Sequence, residues 1–337
     1  MIDVTGGYDA ALELPFPAQP DNPEARESMN MWVWDRSLTF GLPRMGVEAV
    51  GENWETHDLQ FNLAFADGRV FNIVGPGAVH GDKQKVLGAG PMTIEVVEPF
   101  GHLKVSVDGE AHATTVADQI AGAFPGQGDL VPVHLDLDLR PAAPPWMNGD
   151  LLTDAKRILD TQEEGGLMGH PWRFEQLCRA TGTLRIAGEE HHIDGGANRI
   201  RRQGIRRLAT FWGHAWQAAL FPSGRGFGYI TYPPRADGKD TYNEGYLFDG
   251  DGELIPARVV QAPWLKSLQA SGESIPCVLE TDEGTVHIEG TTVASTFMVM
   301  PPEVGGGMRL QQAIARYTWD GETTGGMLER SIPGELT

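Results

Sequence analysis

The chain has 337 residues, of which 41% are hydrophobic and 21% charged, and its formal net charge is −20 at pH 7 with a pI near 4.8. That length predicts two domains, because single cores rarely grow much beyond this size. The acidic excess excludes broad contact with nucleic acid or anionic membrane, either of which would repel the chain.

The 43 glycines and 23 prolines favour short strands joined by turns over long helices. The first residues, MIDVTGGYDAALELPFPAQP, have no basic segment followed by an apolar core, so no signal peptide is expected. No uncharged apolar run reaches transmembrane length, so no membrane insertion is expected. Cys178 and Cys277 stand far apart, outside any CxxC pattern, which predicts buried reduced thiols and a cytoplasmic protein.

Residues 1–27 read as an N-terminal arm and 28–145 as a first domain. In HDLQFNLAFADGRVFNIVG (57–75), apolar and polar residues alternate on either side of Asp67-Gly68, which predicts a hairpin. Residues 92–116 give a second meander, and VPVHLDLDLRP (131–141) has near-perfect period-two alternation. A proline-rich break, AAPPWMNGD, leads into a linker at 146–170. Within it LLTDAKRILDTQEE (151–164) predicts a short helix with Leu151, Leu152, Ala155, Ile158 and Leu159 along one face.

Residues 171–337 read as the second domain. FEQLCRATGTLRIAGEEHHIDG (174–195) is strand, turn, strand, and 214–233 is a hairpin. Further strand pairs follow at 242–260, 275–299 and 311–331. A faint repeat links Phe65-Ala66-Asp67-Gly68-Arg69-Val70-Phe71 with Phe221-Pro222-Ser223-Gly224-Arg225-Gly226-Phe227, and VSVDGEAH (105–112) with ETDEGTVH (280–287). The expected fold is all-β: two tandem antiparallel β-barrels or sandwiches with a short connecting helix.

Residues 174–207, FEQLCRATGTLRIAGEEHHIDGGANRIRRQGIRR, carry a more specific signal. Phe174-Glu175-Gln176, Thr181-Gly182 and Asp194-Gly195, followed by Arg199, Gly204 and Arg206, resemble the centre of the hydroxyneurosporene synthase-like (CrtC/AttH-like) family of two-lipocalin-domain proteins. Residues 212–230 resemble that family's tryptophan-rich strand, and 317–331, which include Glu329, resemble its closing strand. Members include carotenoid and phytoalexin hydratases and fungal cyclases. The resemblance therefore implies lipocalin-like barrels, a large apolar pocket for an isoprenoid, polyketide or aromatic ligand, and no metal or redox cofactor. Where the family often has Asp-His-Ser-Trp, this chain has Ile200, Arg201, Arg202 and Gln203. Isoleucine cannot donate a proton to an alkene and arginine stays protonated, so a hydratase step through that pair is in doubt.

On a strand, Arg199 and Arg201 share one face with Arg207, and Arg202 and Arg206 share the other. Two readings stand for this run. Arg201 and Arg202, which replace the family's polar pair, are candidate contacts for an anionic group on an apolar ligand. Arg199 and Arg206, with Asp194 and Glu329, read as structural, the arginines bridging the two domains through acidic side chains. His214 and Glu175 are the candidate catalytic acid or base. Trp212, Trp216 and Tyr229, with Trp34 and Trp54 from the first domain, are candidate walls for a flat or polyene ligand, or else barrel core. Neither the adjacent His191-His192 nor a glycine-rich loop makes a metal or phosphate site, so no metal is expected. Two functional readings remain. One is a cofactor-independent lyase, isomerase or cyclase acting on a small hydrophobic substrate; the other is a non-catalytic carrier for such a metabolite. Either would be a monomer or homodimer.

Overall fold

A computed structural model describes residues 2–161, 168, 170–207, 211–303 and 305–334. Its strands, in chain order, are β1 (Ala25–Asp35), β2 (Phe40–Val50), β3 (Thr56–Phe65), β4 (Arg69–His80), β5 (Val86–Ala89), β6 (Met92–Glu98), β7 (His102–Thr115), β8 (Asp129–Pro141), β9 (Trp146–Met147), β10 (His170–Ile186) and β11 (Glu189–Ile205). There follow β12 (His214–Leu220), β13 (Gly226–Thr231), β14 (Asn243–Phe248), β15 (Ile255–Gln261), β16 (Cys277–Thr281), β17 (Gly284–Val299), β18 (Arg309–Trp319) and β19 (Glu322–Ile332). Strands β1 to β8, β10 and β11 form one closed antiparallel barrel, and β12 to β19 form a second. Closure removes the exposed sheet edges that would otherwise pair with other chains.

The alternation that predicted these strands also fills the barrels. Leu103, Val105 and Val107 of β7 lie opposite Leu139, Leu137 and Leu135 of β8, all in the core of the first barrel. Lys104 and Ser106 face Asp138 and Asp136 on the outside. The second barrel is filled likewise by residues such as Phe227, Tyr229, Leu279 and Tyr317.

One boundary differs from the sequence reading. Residues 171–205, expected to open the second domain, instead close the first barrel: β10 pairs with β8 and β11, and β11 pairs with β1. The second barrel begins at His214. Local strand signals identify a hairpin but carry no information on which sheet it joins, and here long-range pairing decides. The linker helix (Thr153–Leu159) is shorter than 151–164, its last turn closed by Thr161 onto the Ile158 carbonyl; residues 162–164 lie outside the described residues.

The barrels pack outer face against outer face. Met29, Met31 and Val33 of β1 point into the first barrel, while Trp32 and Trp34 belong to a separate apolar layer. In that layer they meet Trp216, Ala218, Ile314 and Met327 of the second barrel and Ile200 of β11. Strands covered on both faces lose their polar alternation. This explains why β12 is buried at every position. The linker is moored to the second barrel by Glu244 of β14. Its buried carboxylate accepts from the Trp146 indole, the Tyr242 hydroxyl and the amides of Gly149, Leu151 and Leu152.

Candidate functional site between the barrels

The arginine run divides by strand parity. Arg199 and Arg201 share the inward face of β11 with the core residue Ala197. Arg199 makes a two-pronged pair with Glu13 at 2.5 and 2.7 Å and a further bond to Gln176. Arg201 donates to Glu27 at 2.8 Å and to the carbonyls of Glu13 and Leu14. Both side chains are buried, so their charges must be matched in place. Together they lock the N-terminal arm onto the end of the first barrel. Arg201, a candidate ligand contact, is thus occupied by the arm and does not line the cleft described below. The acidic partners of Arg199, Arg201, Arg202 and Arg207, namely Glu13, Glu27, Glu48 and Glu24, come from the arm and the first two strands. They are not the acids of the second barrel.

Arg202 and Arg206 face the other way, into a cleft of about 470 Å³, its open water included, between the barrels. Arg202 bonds Glu48 at 2.7 Å and Ser28 at 3.0 Å. Burial, reinforced by repulsion from Arg206, pushes the Arg202 guanidinium well below its ordinary pKa, with Glu48 opposing. Burial would raise the Glu48 carboxyl, but Arg202, Arg206 and Arg26 outweigh it and hold Glu48 at about 2.

The cleft's polar centre comes from the second barrel's outward row. His214 lies opposite Ser331 and Trp216 opposite Glu329 on β12 and β19, and Gln312 of β18 lies opposite Glu329. His214 Nδ1 is 2.7 Å from Ser331 Oγ, and its Nε2 is 3.2 Å from Glu329 Oε1. Glu329 also accepts from Arg44 of β2 at 3.1 Å and from Gln312 at 2.6 Å. Burial alone would raise the Glu329 carboxyl, but Arg44, His214 and Gln312 hold it down at about 2. An ionised carboxylate only accepts, so His214 Nε2 carries the hydrogen and a neutral ring presents bare Nδ1 to the Ser331 hydroxyl. Protonating the ring reverses that bond, and Nδ1–H then donates to Ser331 Oγ.

The floor is aromatic and cationic. Trp32 and Trp216 meet edge to face with centroids 4.3 Å apart, Arg44 lies 5.2 Å from the Trp32 ring centre, and Arg173 lies 5.1 Å from that of Trp216. Beneath them is Glu175, fully buried, with Oε2 accepting from the Trp216 indole and from Asn198, both at 2.9 Å, and Oε1 2.8 Å from Arg173. Desolvation raises its pKa against those three partners. Toward solvent the cleft widens into a mouth of about 1460 Å³, its open water included, lined by Met298, Met300, Met308, Leu310 and Phe211. Arg44, Arg206, His214 and Glu329 belong to both the cleft and the mouth.

The cleft therefore gathers His214, Trp216, Arg202, Arg206 and Glu329, with Glu175 under its floor. Other candidates lie elsewhere. Tyr229 is inside the second barrel, its hydroxyl donating to Gln217 at 2.6 Å. Trp212 donates to the Pro233 carbonyl beside the cleft. Trp54 packs on Phe16 and His57 at the edge of the first core. Trp34 fills another part of the seam, and the exposed Asp194 pairs with Arg36. Arg44, Arg173, Asn30, Gln312 and Ser331 were not singled out from sequence. Ser331 alone had a signal available, since it shares the outward parity of Glu329. Among the described residues no group of three His, Cys, Asp or Glu side chains is arranged to hold a metal.

Solved structures with the same two-barrel arrangement include a protein assigned as AttH from Nitrosomonas europaea (TM-score 0.55, 13% identity, 91% of each chain covered). CghA, solved with Sch210972, gives 0.51 at 11% identity, covering 94% of this chain and 90% of that one. Kievitone hydratase from Nectria haematococca gives 0.52 at 10% identity, covering 99% and 97%. At such identities the likeness establishes the fold. No curated protein matches the sequence. A family profile matches residues 9–333, and the chain belongs to that family, described as a domain of unknown function, DUF7064.

Proposed function

We propose that the protein is a lyase, isomerase or cyclase that uses its own side chains for acid–base chemistry on a hydrophobic isoprenoid, polyketide or aromatic substrate. One observation carries this reading: a buried imidazole, held by an ionised carboxylate on one nitrogen and a hydroxyl on the other, at the base of an apolar-mouthed cleft. In it, Glu329 fixes the His214 tautomer and stabilises the imidazolium, while Arg44 keeps Glu329 ionised. A proton passes between His214 Nδ1 and substrate, directly or through the Ser331 hydroxyl. Arg202 and Arg206 favour an anionic or developing enolate oxygen at the cleft wall, and the methionine-lined mouth accommodates an irregular apolar body. Glu175 supports the floor as a positioning residue. The structural relatives include a named hydratase and CghA, which makes reactions of this class the first to assay.

The test is native mass spectrometry of gently purified protein, with extraction of bound small molecules, followed by turnover assays on the compound class recovered. The expected result is an apolar ligand that His214→Ala still binds, while turnover falls roughly a hundredfold or more. Equal turnover in His214→Ala overturns the mechanism. Stoichiometric binding with no turnover would make the protein a carrier.

A further inference from the structure

Further along β1, past Asn30 and Trp32, the seam opens a second time. This groove, of about 710 Å³ with its open water, is lined by Trp34, Leu38 and Phe221 and by Arg36, Arg179 and Arg316. The chain carries 46 acidic residues against 26 basic ones, so acidic partners are plentiful. Among the described residues every arginine has an ion-pair or hydrogen-bond partner except Arg140, Arg179 and Arg316. These exceptions are not scattered. Arg140 sits directly opposite Arg179 on β8 and β10, Arg179 opposite Gly196 on β11, and Gly196 opposite Trp34 on β1. On the other barrel Arg316 sits opposite Gly325, whose backbone abuts the Trp34 ring. Two rows, one from each barrel, thus bring unpaired guanidiniums to the same aromatic floor. Like charges placed directly opposite on paired strands repel, and the carboxylates nearby are taken up elsewhere: Asp194 is engaged by Arg36 at 3.2 Å, and Asp35 accepts from the amides of Ser37 and Asp194.

We propose that this groove binds a small organic phosphate, independently of the His214 cleft and of any activity there. Arg36, Arg179 and Arg316 would grip the phosphate oxygens, Arg140 would add attraction from behind, and the organic part would lie on Trp34, Leu38 and Phe221. Guanidinium forks match phosphate geometry and are the usual choice for it. A lone carboxylate has too few acceptor sites for so many donors, whereas a phosphate ester brings three terminal oxygens and close to two charges.

The experiment is calorimetric titration of the full chain with phenyl phosphate and with inorganic pyrophosphate, at low and high salt. Sedimentation with phosphatidic acid vesicles runs in parallel. The proposal expects saturable binding that weakens with salt, and a loss of roughly tenfold or more in affinity for each of Arg179→Ala and Arg316→Ala. Both positions are exposed, so thermal unfolding should not change, and Arg258→Ala, on another surface, should bind as wild type. Absence of binding to both soluble probes overturns the proposal. So does binding that survives the Arg179→Ala/Arg316→Ala double variant. Vesicle binding through these arginines without soluble binding assigns the groove to a lipid headgroup and also rejects the soluble ligand.

Discussion

Replacing Glu329 by glutamine tests the electrostatics on which the site reading depends. The folded carboxyl titrates at about 2 against an ordinary 4.5, and the residue is 5% exposed, so solvent screening removes little of the effect. A shift of that size corresponds to about 3 kcal/mol of stability. Because the folded value is depressed, this contribution is fully present above pH 4.5 and is lost as pH falls from 4.5 toward 2. By about pH 3.5, one unit below the unfolded value, about 1 kcal/mol of it should be gone. Glutamine keeps the shape but leaves the half-buried Arg44 without that countercharge, a change that costs about 3 kcal/mol. Urea unfolding of wild type and Glu329→Gln should therefore show a gap of about 3 kcal/mol near neutral pH that narrows by about 1 kcal/mol near pH 3.5. Glu48, also held at about 2, is present in both proteins and cancels in the difference. Parallel pH dependences would refute the claim that Glu329 is ionised and paired with Arg44, and with it the assigned His214 tautomer.

Two further predictions concern the frame around the cleft. Gly196→Ala would place a methyl 2.6 Å from the Trp34 ring, beside which Gly325 likewise leaves no room for a Cβ, so it should destabilise by about 2 kcal/mol in thermal or urea unfolding. Unchanged stability would mean that Trp34 is not a fixed peg between the barrels. Arg199→Ala strands the fully buried Glu13 and should cost about 3–5 kcal/mol, with faster hydrogen exchange at the amides of Phe16 and Phe100, which Glu27 and Glu13 hold. Exchange that speeds up evenly over the whole chain would count against an arm docked through that pair.

Much of the fold was legible because period-two alternation and turn residues are local signals. The Asp67-Gly68 hairpin and the β7–β8 and β10–β11 pairs all formed where the pattern put them. Which barrel each hairpin joins was not legible: the β10–β11 hairpin closes the first barrel through partners more than a hundred residues away in sequence. The apparent internal repeat holds only in part: Phe65–Phe71 and Phe221–Phe227 both turn one strand into the next, β3 into β4 and β12 into β13, with Gly68 and Gly224 donating to the Phe65 and Phe221 carbonyls, but the second match is not equivalent. VSVDGEAH lies within the single strand β7, whereas ETDEGTVH turns from β16 into β17. At the site, His214, Trp216 and Glu329 were visible as polar or aromatic residues in strands, but Arg44 was not. Nothing in FGLPRMGVEAV distinguishes an arginine in water from one facing a second barrel, because its partner Glu329 comes from the last strand.

The arginine run is where these levels meet. One strand, β11, is covered on both faces, so its alternation cannot be apolar against polar; it divides charged residues by destination instead. Arg199 and Arg201 turn inward to Glu13 and Glu27, closing the barrel end with the N-terminal arm, while Arg202 turns outward to Glu48 at the cleft wall. Slipping the strand by one residue would exchange these faces and put unmatched guanidiniums in both places. Each mispairing would leave a buried charge alone, at a cost of several kcal/mol per ion. The paired charges thus act as a register lock more than as a net source of stability. That register also places Ile200 in the seam layer with Trp32 and Trp216, and Ile200 and Trp216 line the cleft beside His214. An acidic protein concentrates arginine here because this strand must be read in one register for the cleft to exist.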